Sequence, residues 1–278
     1  MHIDIKMALA LSLGIAILFS AAVIRPASAD DEPAPGKQVA ASVELPKNNN
    51  EFLVRGGISL TDKSLDDTEK EAVRFFLYLP KNYKADGDPM PLLLFMHGAG
   101  ERGENLDIVK KHGPPKVLEK QEDWPFITIS PQCPTNHWWN ASQMMLLVKA
   151  ICEKYNVDED RIYVTGLSMG GFGTWSILSQ YPDRVAAAVP ICGKGDPAAA
   201  EKMLEVPIWC FHGAKDPTVP LSGSTDMIEA IKKTGGEKTE LTIYPEAGHD
   251  SWTATYDNPK VYEFLLKHSL KERKQEKK

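Results

Sequence analysis

The segment Arg161-Ile-Tyr-Val-Thr-Gly-Leu-Ser-Met-Gly-Gly-Phe-Gly-Thr-Trp175 runs from an apolar stretch straight into a helical pattern, with Ser168 at the junction between Gly166 and Gly170. A strand that becomes a helix with no intervening loop folds back very tightly. Side chains two residues before and after the central residue would collide, so both places call for glycine. The turn lifts the serine hydroxyl clear of the strand and leaves it at a helix N-terminus, where backbone N–H groups face negative charge. Such a junction needs a sheet on one side and a packed helix on the other.

The rest of the chain supplies both. Apolar runs predict strands over 72–79, 91–97, 126–130, 161–167, 186–192, 206–212 and 240–244. Leu92-Leu-Leu-Phe-Met96 is apolar without alternation, as in parallel strands covered on both faces. Helical periodicity falls between the runs, over 142–155, 170–180, 223–234 and 258–268. Alternation in this order predicts an α/β fold: a doubly wound, mostly parallel sheet of about eight strands. Hydrophobic residues make up 42% of the 278, enough for a sizeable core. The net charge of -6 carries no basic field for nucleic acid.

Residues 1–29 read as an export signal: Lys6, the apolar run Met7–Ile24, then Ala27-Ser28-Ala29 as a small-x-small processing site. The rival reading is a membrane anchor, since the run is just long enough to span a bilayer. Cleavage is preferred, which leaves no stable membrane insertion and an exported, periplasmic or extracellular protein. Residues 30–50, rich in Pro, Ala and Asn, are expected to be a disordered linker. A catalytic domain is expected over 51–268 and a basic flexible tail over 269–278. In an oxidising compartment Cys133, Cys152, Cys192 and Cys210 allow three pairings, and spacing does not choose among them or against free core thiols. No metal-binding motif is present, and no cofactor is expected.

A serine needs a base, and the base a carboxylate to orient it. On a sheet of this kind they should follow in the order Ser, acid, His, on loops after later strands. Phe211-His-Gly-Ala-Lys-Asp216-Pro presents Asp216, and Tyr244-Pro-Glu-Ala-Gly-His249-Asp-Ser-Trp252 presents His249. Asp250 adjoins His249 too closely in the chain to align with its ring, and Asp226 falls inside a helix. An oxyanion hole should combine the N–H of Met169 with that of Ala99, in His97-Gly-Ala-Gly100, Gly98 and Gly100 being the neighbouring choices. His97 and His212, each ending a strand, are read as structural histidines.

With these residues the chain resembles the α/β-hydrolase superfamily over roughly 72–268. Leu93-Leu-Phe-Met-His-Gly-Ala-Gly-Glu-Arg-Gly103, Pro131-Gln-Cys-Pro134 with Trp138-Trp139, and Gly248-His-Asp-Ser-Trp252 are similar to a narrower group. That group is the exported bacterial "predicted peptidases", akin to dienelactone hydrolases, phospholipase/carboxylesterases and family-one carbohydrate esterases. Dienelactone hydrolases proper use a Cys nucleophile, whereas this position is Ser168, which favours ester cleavage. The residues and the resemblance together point to a secreted serine hydrolase acting on small-molecule esters, and the export signal with an open, aromatic-walled site suggests polysaccharide-linked or aryl esters. A prolyl oligopeptidase-like peptidase and an inactive binding module are the alternatives. The short link from Gly193 to Val206 leaves no space for a lid domain. Trp138, Trp139 and Trp252 are candidates for stacking on a sugar or aryl group, with loop packing the competing reading.

Overall fold

The computed structural model describes residues 23–26, 33–47, 66–121 and 123–275. One mixed sheet contains β1 (Ile24–Pro26), β2 (Gln38–Lys47), β3 (Asp66–Tyr78), β4 (Met90–Met96), β5 (Ile127–Pro131), β6 (Val157–Leu167), β7 (Ala187–Ile191), β8 (Ile208–Gly213) and β9 (Thr239–Tyr244). Its order is β1-β2-β3-β5-β4-β6-β7-β8-β9. The pairings among β1, β2, β3 and β5 are antiparallel, and those from β5 onward are parallel. Each strand and helix expected from the sequence forms; the largest change is β3, which starts at Asp66.

The helices are α1 (Gly113–Val117), α2 (Ala141–Lys154), α3 (Met169–Gln180), α4 (Ser222–Lys233), α5 (Trp252–Tyr256), α6 (Pro259–Leu266) and α7 (Leu270–Gln275). They cover both faces of the sheet, and β4 shows why its sequence is uniformly apolar. Leu92, Leu94 and Met96 join a cluster with side chains of α2, α3 and α4. Leu93 and Phe95 point the other way, to Tyr256 of α5, Val261 and Leu265 of α6 and Leu270 of α7. A strand with solvent on neither face has no use for alternation.

Three expectations change. Residues 38–47, expected to lie in the linker, form β2, with Ala41, Val43 and Leu45 buried on one face. Period-two burial was present there, but small residues and a Pro-rich flank masked it. Ile24, within the expected signal, is buried opposite Val43 in the edge pair β1–β2. The apolar run up to residue 22 and Ala27-Ser28-Ala29 lie outside the described residues. The expected flexible tail is helical as α7: Leu270 is buried, and Arg273 donates from Nη1 to Val185 O at 2.6 Å and Pro182 O at 3.2 Å. A guanidinium can cap backbone carbonyls while its stem packs, so a basic run need not be solvated. Among the described residues no helix is long and apolar enough to cross a membrane. All four cysteines are free thiols.

Candidate active site

The parallel strands β6, β8 and β9 end on the same side of the sheet, and each is followed by a segment carrying one polar residue of interest. Ser168 lies between β6 and α3 with φ 52° and ψ -116°, a backbone conformation that L residues adopt at a cost of roughly 1–3 kcal/mol. The glycines explain how the turn closes. A Cβ on Gly166 would lie 2.3 Å from Gly170 O, and one on Gly170 would lie 1.9 Å from Met96 O.

The structure brings together the three residues singled out by their order. Ser168 Oγ is 2.9 Å from His249 Nε2, and His249 Nδ1 is 2.7 Å from Asp216 Oδ2. Asp216 accepts only when ionised, so Nδ1 carries a proton and Nε2 is free to accept from the serine hydroxyl. The other carboxylate oxygen, Oδ1, accepts from Thr218 N at 2.8 Å and Val219 N at 2.9 Å. Burial alone would raise the Asp216 pKa. The hydrogen bonds from His249, Val219 and Thr218 outweigh burial and hold the carboxyl below its ordinary value. Asp216 is buried in its side chain, whereas the His249 side chain is 21% exposed and borders solvent.

Met169 is the first residue of α3, and Ala99 the first of the one-turn 3-10 helix Ala99–Glu101. Neither N–H has an acceptor within its own helix, which leaves both suited to an external oxyanion. The loop holding Ala99 is fixed from beneath. Cys133 N donates to His97 Nε2 at 3.0 Å, so the ring proton is on Nδ1, which donates to Gly98 O at 2.6 Å. Burial pushes the His97 pKa down to about 4, which keeps the ring neutral. Gln132, in the Pro131-Gln-Cys-Pro134 stretch, donates from Nε2 to Glu101 O and Asn105 O, clamping the same loop. Sequence reasoning gave Gln132 no role, and its position beside Cys133 was the signal.

The three tryptophans separate. Trp252 stands edge-on to His249, with ring centres 5.2 Å apart. Trp138 is half-buried, edge-on to Phe172 of α3. Trp139 is buried and donates from Nε1 to His97 O, so at this position packing beneath the loop replaces the expected stacking role. Cys192, with φ 40°, places its Sγ close to the Asp216 and His249 side chains, the donor atoms of all three lying within 4.8 Å of one another. Burial pushes its thiol up to about 12. A protonated thiol is a poor metal ligand, and Asp216 and His249 already bond each other.

A mostly parallel sheet with helices on both faces and a strained serine between strand and helix is the architecture of α/β-hydrolases, the fold class that the chain shares with solved esterases. More narrowly, residues 137–270 match the Dienelactone hydrolase family. A solved thermostable esterase is 29% identical, with a TM-score of 0.64 covering 84% of this chain and 73% of that one. The acetyl xylan esterase of Aspergillus awamori shares the fold at 16% identity and a TM-score of 0.55, over 69% of this chain and 94% of that one. A bifunctional acetylxylan esterase/xylanase of Neocallimastix patriciarum is 28% identical over 164 residues, 55% of this chain and 23% of that protein. The chain thus spans less than a quarter of the length of the curated relatives it matches.

Proposed function

We propose that the protein is an exported serine hydrolase that cleaves carboxylic esters, with Ser168 as nucleophile, His249 as base and Asp216 as its orienting acid. The observation that carries this reading is the continuous hydrogen-bonded chain from Ser168 Oγ through His249 to Asp216 Oδ2. Ser168 Oγ attacks the ester carbonyl as its proton passes to His249 Nε2. The N–H groups of Met169 and Ala99 receive the oxyanion, each such donor lowering the barrier by about 3 kcal/mol. His249 returns the proton to the departing alcohol, and water then repeats the sequence on the acyl-serine to release the acid and restore the enzyme. The Asp216 carboxylate stays ionised throughout and stabilises the imidazolium.

For substrate we favour acyl groups on polysaccharide, of which acetylated xylan is the first to try. Two of the similar proteins are named for acetylxylan esterase activity, and Trp252, partly exposed beside His249, places an aromatic ring where a sugar would lie. The test is fluorophosphonate labelling and ester turnover in the wild type and in Ser168→Ala. We expect labelling of the wild type alone, and turnover of acetyl esters but not of peptide anilides, falling by about four orders of magnitude or more in the variant. A folded wild type that neither labels nor turns over esters would move the inactive binding module to the front. Anilide cleavage would favour the peptidase.

A further inference from the structure

Asp216 has a second buried histidine against it. His212, at the end of β8, is fully buried, and its Nε2 lies 3.0 Å from Val219 O and 3.3 Å from Asp216 Oδ2, the oxygen that also accepts from His249. The carbonyl of Val219 only accepts, so Nε2 carries a proton in either charge state of the ring. On the other side, His212 Nδ1 lies 2.7 Å from Ser224 Oγ, on α4, and Cys210 Sγ donates to that oxygen at 3.2 Å. With the thiol donating inward, the serine hydroxyl is free to donate to Nδ1, which locks the neutral Nε2–H form. Ser224 Oγ is also 3.4 Å from Gly193 O, a longer and weaker alternative for its proton.

We propose that His212 is a positioning residue for the acid of the triad: its Nε2–H, bonded to Val219 O with Asp216 Oδ2 3.3 Å away, holds the turn and its carboxylate in the orientation that accepts from His249. The proposal rests on the serine hydrolase reading for its kinetic consequence, though not for its geometry. The carboxylate has three hydrogen-bond donors, two backbone N–H groups on Oδ1 and His249 on Oδ2, with His212 Nε2 as a further close contact on Oδ2. Removing His212 leaves Oδ2 held by His249 alone, on the side of the site that borders solvent. The carboxylate loses its aim, and its charge falls more fully on His249, favouring the protonated ring. Besides His212, His249 and Cys192, on the segments following β9 and β7, lie against Asp216, while the Cys210 thiol of β8 lies against Ser224. Burial pushes both thiols up to about 12.

The experiment compares wild type, His212→Leu, His212→Gln and Ser168→Ala by ester kinetics across pH and by the low-field NMR signal of the His249 Nδ1 proton. In His212→Leu we expect kcat to fall about tenfold, with KM within about twofold. The acid limb of kcat/KM should move up by roughly half a pH unit, and the low-field signal should shift. His212→Gln, which restores an N–H near the same point, should recover most of kcat. A folded His212→Leu with wild-type kcat, pH profile and low-field signal overturns the proposal. Should that variant not fold, Ser224→Ala carries the test by releasing Nδ1: a smaller loss in the same direction supports the proposal, and wild-type behaviour overturns it. If the wild type shows no turnover and Ser168→Ala matches it, the serine hydrolase reading fails, and the NMR signal alone decides the role of His212.

Discussion

Ser168 is held in a conformation it would not choose, and the glycines around it are the reason the chain tolerates this. Gly170 is the most confined: any side chain there drives a carbon into the carbonyl of Met96, and the strand carrying that carbonyl is buried on both faces and has no freedom to yield. Gly170→Ala should therefore give no soluble folded protein. Gly100→Ala, in the oxyanion loop, meets no atom within 4 Å and should leave the melting temperature unchanged. Paired expression and thermal melts check both. At this scale the sequence was most legible where covalent geometry dictates residue type. The spacing of Gly166, Ser168 and Gly170 has one steric solution, and Asp216 and His249 were legible because the order of parallel strands brings their loops together. The second contact of His212 was not. It depends on where the Asp216 turn folds back, and no residue type announces that. For Trp139 the sequence left stacking and loop packing open for the same reason, and the structure favours packing: a large aromatic near a site reads alike whether it lies over or under the loop.

The elements were legible where period and length agreed. β4 to β8 could be read from buried, largely apolar runs, whereas β9 at the sheet edge is short and partly exposed. β2 was hidden because Ala and Ser serve on its faces where Val and Ile usually mark a strand. At the opposite end, α7 hid behind its charge. Its contribution can be measured by stopping the chain after Lys267. That removes buried Leu270 and strands the carbonyls of Val185 and Pro182 that Arg273 caps. The combined loss should be about 3 kcal/mol, near 2 from the leucine and 1 from the hydrogen bonds. A domain of this size should then melt about 10 °C lower, with the Ser168 site otherwise intact. An unchanged melting temperature would mean that α7 packs without stabilising.

Over the whole molecule, two buried groups tie stability to acidity. His97 has an ordinary pKa of 6.5, lowered to about 4 by burial, so between those values the unfolded chain binds a proton that the folded protein refuses. Stability therefore rises with pH across that window and falls by up to about 3 kcal/mol as the solution is acidified from 6.5 to 4, with no further change from this group below. Asp216, held below its ordinary 3.8, adds its own loss only at still lower pH, as the folded carboxyl takes up its proton. Urea titrations of wild type and His97→Gln at several pH values should show their difference in stability shrinking towards pH 4. A constant difference would contradict the buried neutral ring. The arrangement of strands has a further consequence, one of timing. Ser168, Asp216 and His249 follow β6, β8 and β9, so a ribosome must pass beyond β9 before the last of them emerges, and β9 must dock at the sheet edge before the three meet. A product that stops before His249 lacks the assembled site, and on the proposed esterase reading the first turnover of a fluorogenic ester would sound the moment the final strand locks home.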